Sequence, residues 1–214
     1  MARSRTVSGT WAEAARAIAG RDAAPERLVR AKLLDGRAHY DELVAKVIAG
    51  ARVSVWIATA NLKTMLVEAG RGSRARAKGR YVSFFERLAE LAAAGVEVRL
   101  LHASAPSGPL AAELTKLGAR SKGVARRQCP RVHLKMIAVD GRHLYLGSAN
   151  VTGAGLGAKG DGKRNFEMGI LTDDPGMLDA TQERFDRIWR GAECASCSLR
   201  PSCPAPLDER PRKI

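Results

Sequence analysis

A histidine and a lysine two residues apart, His133 and Lys135, are the side chains in this sequence best suited to chemistry. They lie in residues 132–139, a run of apolar and β-branched residues that predicts a strand. Successive side chains of a strand point to opposite faces, so the imidazole and the ammonium group would share one side. An imidazole can attack an electrophile or transfer a proton, and an ammonium group can bind an anion. Asp140 completes the pattern His-x-Lys-x4-Asp.

Two further polar segments follow this pattern. An Asp-Gly dipeptide at 140–141 is typical of a hairpin turn, which would join the first predicted strand to a second strand over 143–146. The second strand runs into Gly-Ser-Ala-Asn at 147–150. A further predicted strand over 166–171 overlaps Asn-Phe-Glu at 165–167. Each polar segment therefore adjoins the end of a predicted strand.

This ordered set of motifs resembles the phospholipase D superfamily. In that family His-x-Lys-x4-Asp is followed by Gly-Ser-x-Asn and then by an acidic or amide residue on a later strand, and Glu167 matches this last element. The specific residues are confined to 133–167, whereas the general resemblance extends over about residues 40–189. A lone His-x-Lys-x4-Asp would be weak evidence, but the three elements in this order and context are specific.

The resemblance implies a role for each residue in phosphodiester cleavage. His133 would attack phosphorus to form a phosphohistidine, while a second histidine protonates the departing oxygen and then activates water. Lys135, Ser148 and Asn150 would bring positive charge and hydrogen-bond donors to the anionic oxygens. Glu167 would hydrogen-bond an imidazole nitrogen and favour the cationic ring.

The need for two histidines predicts a homodimer, because the chain has one copy of the motif. His39, His102 and His143 are not followed by a lysine two residues later, and no other segment reads Gly-Ser-x-Asn. The resemblance implies that two identical chains pair with their motif histidines facing each other across a twofold axis.

The carboxylates near the motif predict metal-independent chemistry. They form no cluster suited to magnesium, so we expect cleavage to need no divalent cation and no other catalytic cofactor. The sequence leaves two interpretations of Asp140 open. It acts directly in the site, or it is a structural turn residue whose carboxylate bonds the backbone and Lys135.

The four cysteines suggest a separate metal site. Cys194, Cys197 and Cys203 follow the spacing Cys-x2-Cys-x5-Cys, and Cys129 lies four residues before His133. Four thiolates suit zinc or an iron–sulfur cluster, and the spacing is similar to that of the C-terminal cysteines of some cluster-bearing nucleases of another fold. Such a site would be structural and would hold the segment that carries His133. The alternatives are unliganded thiols or a disulfide within Cys-x-x-Cys.

Alternating helices and strands organise the rest of the chain. Apolar periodicity predicts that helices and strands alternate along the chain. Burying the apolar faces of such strands requires a mixed β-sheet flanked by helices on both faces, which is an α/β fold. The predicted helices are 3–35 (one or two, broken near Pro25), 40–50, 84–94, 110–117 and 177–189, and further strands are 53–57 and 96–101. We divide the chain into an N-terminal helical extension (1–36), a catalytic domain (37–191) and a cysteine-containing tail (192–214).

Charge points to a polyanionic partner. Lys and Arg number 36 against 22 Asp and Glu, which gives a net charge of +14. Basic residues without acids concentrate in 70–80, either a mobile loop that contacts a polyanion or a solvated surface loop, and in 120–131, a second basic surface. No apolar run is long enough to span a membrane, and the N-terminus lacks the apolar core of a signal peptide, so we expect a cytoplasmic protein.

These features favour a metal-independent phosphodiesterase that hydrolyses DNA or RNA in a homodimeric active site. A phospholipase or phosphatidyltransferase of the same superfamily is the alternative enzyme. A different class is a non-catalytic DNA-binding subunit of a larger restriction or repair assembly. The sequence leaves the choice of DNA or RNA open, since basic loops contact phosphates rather than bases.

Overall fold

The computed structural model describes residues 28–69 and 79–208 of the 214-residue chain. Within these ranges, seven strands form one mixed sheet in the order β1-β9-β8-β7-β2-β5-β6, and two short strands, β3 and β4, form a ribbon. The strands are β1 (Ala31–Asp35), β2 (Ser54–Thr59), β3 (Leu66–Glu68), β4 (Tyr81–Ser83), β5 (Glu97–His102), β6 (Val124–Gln128), β7 (Met136–Val139), β8 (His143–Gly147) and β9 (Met168–Thr172).

Four helices accompany the strands in the described ranges. They are α1 (His39–Val47, with wide π-type turns), α2 (Phe84–Ala93), α3 (Gly108–Leu117) and α4 (Pro175–Trp189), and short 3₁₀ turns occur at Ile48–Gly50, Gly118–Gly123, Asp161–Lys163 and Arg200–Ser202. Side chains cap two of the helices, because Ser83 accepts the Phe85 amide and Asp174 accepts the Met177 amide. None of the described helices combines the length and apolar character needed to cross a membrane.

Strand directions bring many chain segments to one edge of the sheet. β2, β5 and β6 run parallel, whereas β7 is antiparallel to β2, β8 to β7, and β9 to β8. The edge where β2, β5, β6 and β8 end is therefore also where β7 and β9 begin. We call it the carboxyl edge, and in open α/β sheets such an edge is where ligands bind.

Two apolar cores cover the two faces of the sheet. Leu43 of α1, Leu88 of α2 and Leu110 of α3 pack with one set of strand side chains. Leu178 and Phe185 of α4 pack with the opposite set. Successive side chains of each strand point to opposite faces and enter the two cores in turn. The strands therefore carry apolar residues on both faces. The predicted mixed sheet with helices on both faces is confirmed.

The N-terminal prediction is wrong in its last part. Residues 31–35 were predicted as the end of a helix, but they form β1, which pairs along its whole length with β9. Leu34 is fully buried in the core, so pairing and burial override the local helical periodicity. Residues 3–27 of that predicted helix lie outside the described residues, and the boundary of the extension at residue 36 stays a prediction.

One prediction in the middle of the chain also needs correction. Of the strand predicted over 132–139, only β7 forms. The Val132 amide bonds the Cys129 carbonyl in a turn, and the chain joins the β-ladder only after this turn. The basic segment 120–131 contains β6, an edge strand that pairs with β5 and buries Val124. Most of the other basic segment, residues 70–78, lies outside the described residues.

A buried tyrosine explains two glycines of the sheet. The ring of Tyr145 on β8 is fully buried and lies across Gly147 and Gly169. A Cβ atom at Gly169 would lie 2.8 Å from Cζ of Tyr145, closer than side chains tolerate. At Gly147 a Cβ would also lie 2.7 Å from the Met168 carbonyl oxygen. Glycine is therefore required where β8 and β9 meet at the carboxyl edge.

We expect Gly169→Ala to lower the free energy of unfolding by about 1–3 kcal/mol, the usual cost of overpacking a core. Urea denaturation measures it. Gly160→Ala is the matched control, because Gly160 has an ordinary φ of −63° and no atom within 4 Å of a Cβ at that position. In a Tyr145→Leu background the additional loss from Gly169→Ala should disappear. An equal loss in both backgrounds would contradict the packing argument.

Asp140 connects the β7–β8 turn to the chain entering β2. It has a left-handed φ of 57°, which Asp tolerates better than most residues. Its carboxylate accepts hydrogen bonds from the backbone amides of Arg52, Val53 and Ser54 at 2.8–3.1 Å. Burial acts to raise the pKa of the Asp140 carboxyl, but these amides and His143 outweigh it and hold the pKa below its ordinary value of 3.8.

We expect Asp140→Ala to cost about 2 kcal/mol of stability at pH 7, because three amides lose their acceptor, whereas Asp140→Asn keeps one oxygen and loses less. The folded-state pKa is lowered, so the stabilisation is fully present above pH 3.8 and is lost as the pH falls through the folded pKa. The difference between wild type and Asp140→Ala in urea denaturation should therefore shrink on acidification. A difference independent of pH would contradict this account.

Candidate functional site

His133 and Lys135 meet at the carboxyl edge. They precede β7 in an extended segment that is tied to the end of β8, where the Gly147 amide donates to the Lys135 carbonyl at 3.2 Å. Nζ of Lys135 lies 3.1 Å from Nε2 of His133 and 3.0 Å from its carbonyl oxygen. The two side chains share one side as predicted, although Leu134, the residue between them, belongs to no strand. The His133 side chain is exposed to solvent.

The contact between these two side chains requires the tautomer of His133 in which Nε2 is the acceptor. A lysine ammonium group has only protons to offer, so Nε2 of His133 accepts. The proton of the neutral ring is then on Nδ1, and the lone pair of Nε2 is beside a positive charge. An exposed imidazole in this state can act as a nucleophile toward an anion that the ammonium group attracts.

Ser148 and Glu167 form a polar pair between the end of β8 and the start of β9. The Ser148 hydroxyl donates to the Glu167 carboxylate and accepts the Met168 amide at 3.1 Å. Nδ2 of Asn165 donates to Oε1 of Glu167 at 3.1 Å. The carboxylate is buried and both its oxygens have partners. Within the described chain these bonds go to Ser148 and Asn165 rather than to His133, so the predicted bond between Glu167 and an imidazole is not made in a single chain.

Asn150 is held by the end of β2. Its Oδ1 accepts from the Thr59 hydroxyl at 3.2 Å and from the amides of Ala60 and Asn61 at 3.1 and 3.0 Å. These contacts orient the carboxamide, and its NH₂ group is left as a fixed donor. Asn150 also lines an open cleft, where such a donor can meet an anionic ligand.

This polar cleft lies at the carboxyl edge and measures about 580 Å³. Its lining residues are Asn61, Lys63, Thr64, Asn150, Thr152, Gly153, Ala154, Lys159 and Asn165. The two lysines and the residues that follow β2 were not among the site residues predicted from the sequence. Their signal was positional, since Lys63 comes soon after the carboxyl end of a parallel strand and Lys159 lies in the glycine-rich loop after Asn150.

The other histidines of the chain are unsuited to catalysis. His39 is fully buried, bonds the Gly36 carbonyl through Nδ1 and meets Tyr145 edge to face at 5.5 Å. Burial lowers the pKa of His39 despite the nearby Glu167, and burial also lowers that of His102. His143 begins β8 at the opposite edge of the sheet.

Asp140 does not join the other motif residues. Asp140 follows β7, whereas Lys135 precedes it. The length of the strand, about 13 Å, therefore lies between the two residues. Its carboxylate is engaged by the amides before β2. Of the two interpretations of Asp140, the geometry supports the structural one.

The four cysteines line a second cleft. Cys129, Cys194, Cys197 and Cys203 all have free thiols, and all four border the same cavity beside the turn that precedes His133. In the described residues, no group of three or more His, Cys, Asp or Glu side chains is arranged around a point that could hold one metal ion. The predicted metal site therefore stays a prediction.

Comparison with known proteins agrees with this geometry. The family model described as "Cardiolipin synthase, PLD-like domain" matches residues 44–189. No curated protein matches the chain. The structure is similar to that of the phospholipase D family member Nuc from Salmonella typhimurium, with a TM-score of 0.53, 18% identity and coverage of 75% of this chain and 95% of that one.

A second solved structure, NucT from Helicobacter pylori, has a TM-score of 0.51 and 16% identity, again with coverage of 75% of this chain and 95% of that one. At these identities the two structures establish the fold. The family model matches most of the chain, and the matched residues 44–189 include the His-x-Lys, Gly-Ser-x-Asn and Glu elements at the carboxyl edge. The chain therefore belongs to the phospholipase D superfamily.

Proposed function

We propose that this chain hydrolyses the phosphodiester bonds of nucleic acid without a metal ion, through a phosphohistidine formed on His133. The observation that carries the proposal is the exposed imidazole of His133, whose Nε2 lone pair lies 3.1 Å from the Lys135 ammonium group. The ammonium group attracts the phosphate and offsets the charge that otherwise repels a nucleophile. No other histidine of the chain combines exposure with a cation in this way.

The reaction divides into two displacements at phosphorus. Nε2 of His133 attacks, a P–N bond forms, and the P–O bond to the departing strand breaks while a second imidazole donates a proton to that oxygen. The same second imidazole then takes a proton from water, the water oxygen attacks phosphorus, and the P–N bond breaks. Lys135 and the NH₂ group of Asn150 hold the non-bridging oxygens during both steps.

The second imidazole comes from a second copy of the chain. His39 and His102 are buried, and His143 lies at the opposite edge of the sheet. Phe166 and Met168, on either side of the buried Glu167, are 106% and 56% exposed. Exposed apolar side chains beside a polar site are typical of an interface. A twofold dimer that covers them would bring two copies of His133 toward each other.

Nucleic acid is the favoured substrate because of charge and the character of the cleft. The net charge of +14 favours a long polyanion through counterion release. The polar cleft contains Lys63 and Lys159 among asparagines and threonines, and its apolar lining is limited to small residues. The description of the matching family favours a second candidate, a phospholipid substrate, whose acyl chains would require an apolar entry surface.

The first test is cleavage of labelled DNA and RNA, single- and double-stranded, in EDTA. We expect wild type to cleave and His133→Ala to lose at least about 1,000-fold of the rate, because the nucleophile is gone. His143→Ala is the matched control and should cleave like wild type. Phosphatidylglycerol vesicles, assayed in parallel, should release no headgroup.

Three results would contradict the proposal. The first is loss of cleavage in EDTA with recovery in magnesium, and the second is full activity of His133→Ala. The third is DNA binding by wild type without cleavage of any substrate, which would instead support a binding module, alone or within a larger assembly. Headgroup release from vesicles would support the phospholipid candidate.

The second test concerns the dimer. We expect Phe166→Lys to reduce the solution mass from twice 23.0 kDa to 23.0 kDa and to lower cleavage roughly 100-fold or more, the contribution of a general acid. Lysine adds positive charge, so weaker attraction of phosphate cannot explain the loss. Val53→Lys, at a residue 65% exposed and at the opposite edge, is the matched control. A monomeric wild type with full activity would overturn the shared site.

A further inference from the structure

The four cysteines of the chain come from two distant segments and meet at one place. Cys129 follows β6, whereas the other three lie in the tail after α4, yet all four line the same small cleft. These are all the cysteines that the chain possesses. The cysteine cleft and the polar cleft share no lining residue.

The tail is docked firmly enough to make this convergence specific. The Arg127 guanidinium on β6 donates to the carbonyl oxygens of Trp189 and Leu207. Leu207 is buried in the core that α4 completes. Gly191, with a φ of 76°, lets the chain turn directly against the Asp208 backbone. Both ends of the cysteine segment are thus fixed to the sheet.

Between these ends the chain winds in three-residue turns. The Cys197 amide bonds the Cys194 carbonyl at 3.2 Å, the Arg200 amide bonds Cys197 at 3.0 Å, and the Cys203 amide bonds Arg200 at 3.2 Å. A turn of three residues returns the chain to the same side. The spacing Cys-x2-Cys-x5-Cys therefore places all three tail thiols on one face, toward Cys129.

The sulfur atoms also have backbone donors. The backbone amides of Leu199 and Arg200 and the Arg131 side chain face the sulfur of Cys197, and the Arg131 amide faces that of Cys129. Donors aimed at sulfur support and orient thiolate ligands in metal sites. Free thiols that only fill a core need no such donors.

We infer that Cys129, Cys194, Cys197 and Cys203 together hold one tetrathiolate metal centre. Each thiol releases its proton to solvent as its sulfur binds the metal. A single zinc ion requires four sulfurs about 2.3 Å from one point, and the described residues contain no such arrangement. An iron–sulfur cluster spreads its ligands more widely, so the geometry favours a cluster.

The centre would fix the segment that carries the nucleophile. The Cys129 amide bonds the His102 carbonyl at the end of β5, and its carbonyl accepts the Val132 amide, both at 2.9 Å. His133 is the next residue. The cysteine centre is thus a structural device that holds the turn before the motif and attaches the tail to it.

Metal analysis of the full chain, purified without oxygen, tests this inference. We expect a brown protein with visible absorption and about four iron and four sulfide per chain, the content of a [4Fe–4S] cluster. Cys203→Ser and Cys194→Ser should lose the iron, whereas Ser196→Ala, an exposed residue of the same loop, should keep it. His133→Ala should also keep it, which separates failure of this inference from failure of the proposed reaction.

The other outcomes are equally decisive. One zinc per chain that is lost in both cysteine variants would support the tetrathiolate site and overturn its assignment to a cluster. Wild type that holds neither metal, even after incubation with ferrous iron and sulfide or with zinc, would overturn the site. Equal metal content in wild type and Cys203→Ser would overturn it as well.

Discussion

The hydrogen bond between the Gly147 amide and the Lys135 carbonyl is the contact on which the site depends. It is the first link of the ladder between β7 and β8, and it sets the register that places the His133 segment beside the end of β8. A slip of one residue would move Lys135 to the other face of the sheet. The Tyr145 ring packs against Gly147 and Gly169 and resists such a slip, because a shifted register would not place two glycines beside the ring.

Local patterns were sufficient to predict the residues of the motif and the strands that follow it. The Asp-Gly turn set β7 and β8 in register, and the motif order located Ser148, Asn150 and Glu167 at strand ends. What failed depended on contacts distant in sequence. The periodicity of residues 31–35 is helical, and only the pairing with β9 makes them a strand. The roles of Asp140 and Asn150 rest on partners near β2, about ninety residues away.

The polar cleft illustrates the same limit. Lys63 and Lys159 are ordinary surface lysines in the sequence, and they become neighbours only because β2 and β8 end at the same edge. His39 could be set aside as a catalytic residue from its sequence context, but its actual place beneath Glu167 could not be predicted. Burial lowers the pKa of its imidazole, which packs edge to face against Tyr145.

The contact between α4 and the sheet has a spectroscopic consequence. Trp56 on β2, Phe185 and Trp189 stack in sequence at 5.3 and 5.7 Å, and the Arg99 guanidinium lies over both indole rings. Trp189 also receives the Arg127 side chain that holds the tail. Two of the three tryptophans of the chain lie in this stack, so their emission depends on its packing. Emission therefore reports on whether the last helix and the cysteine segment are seated.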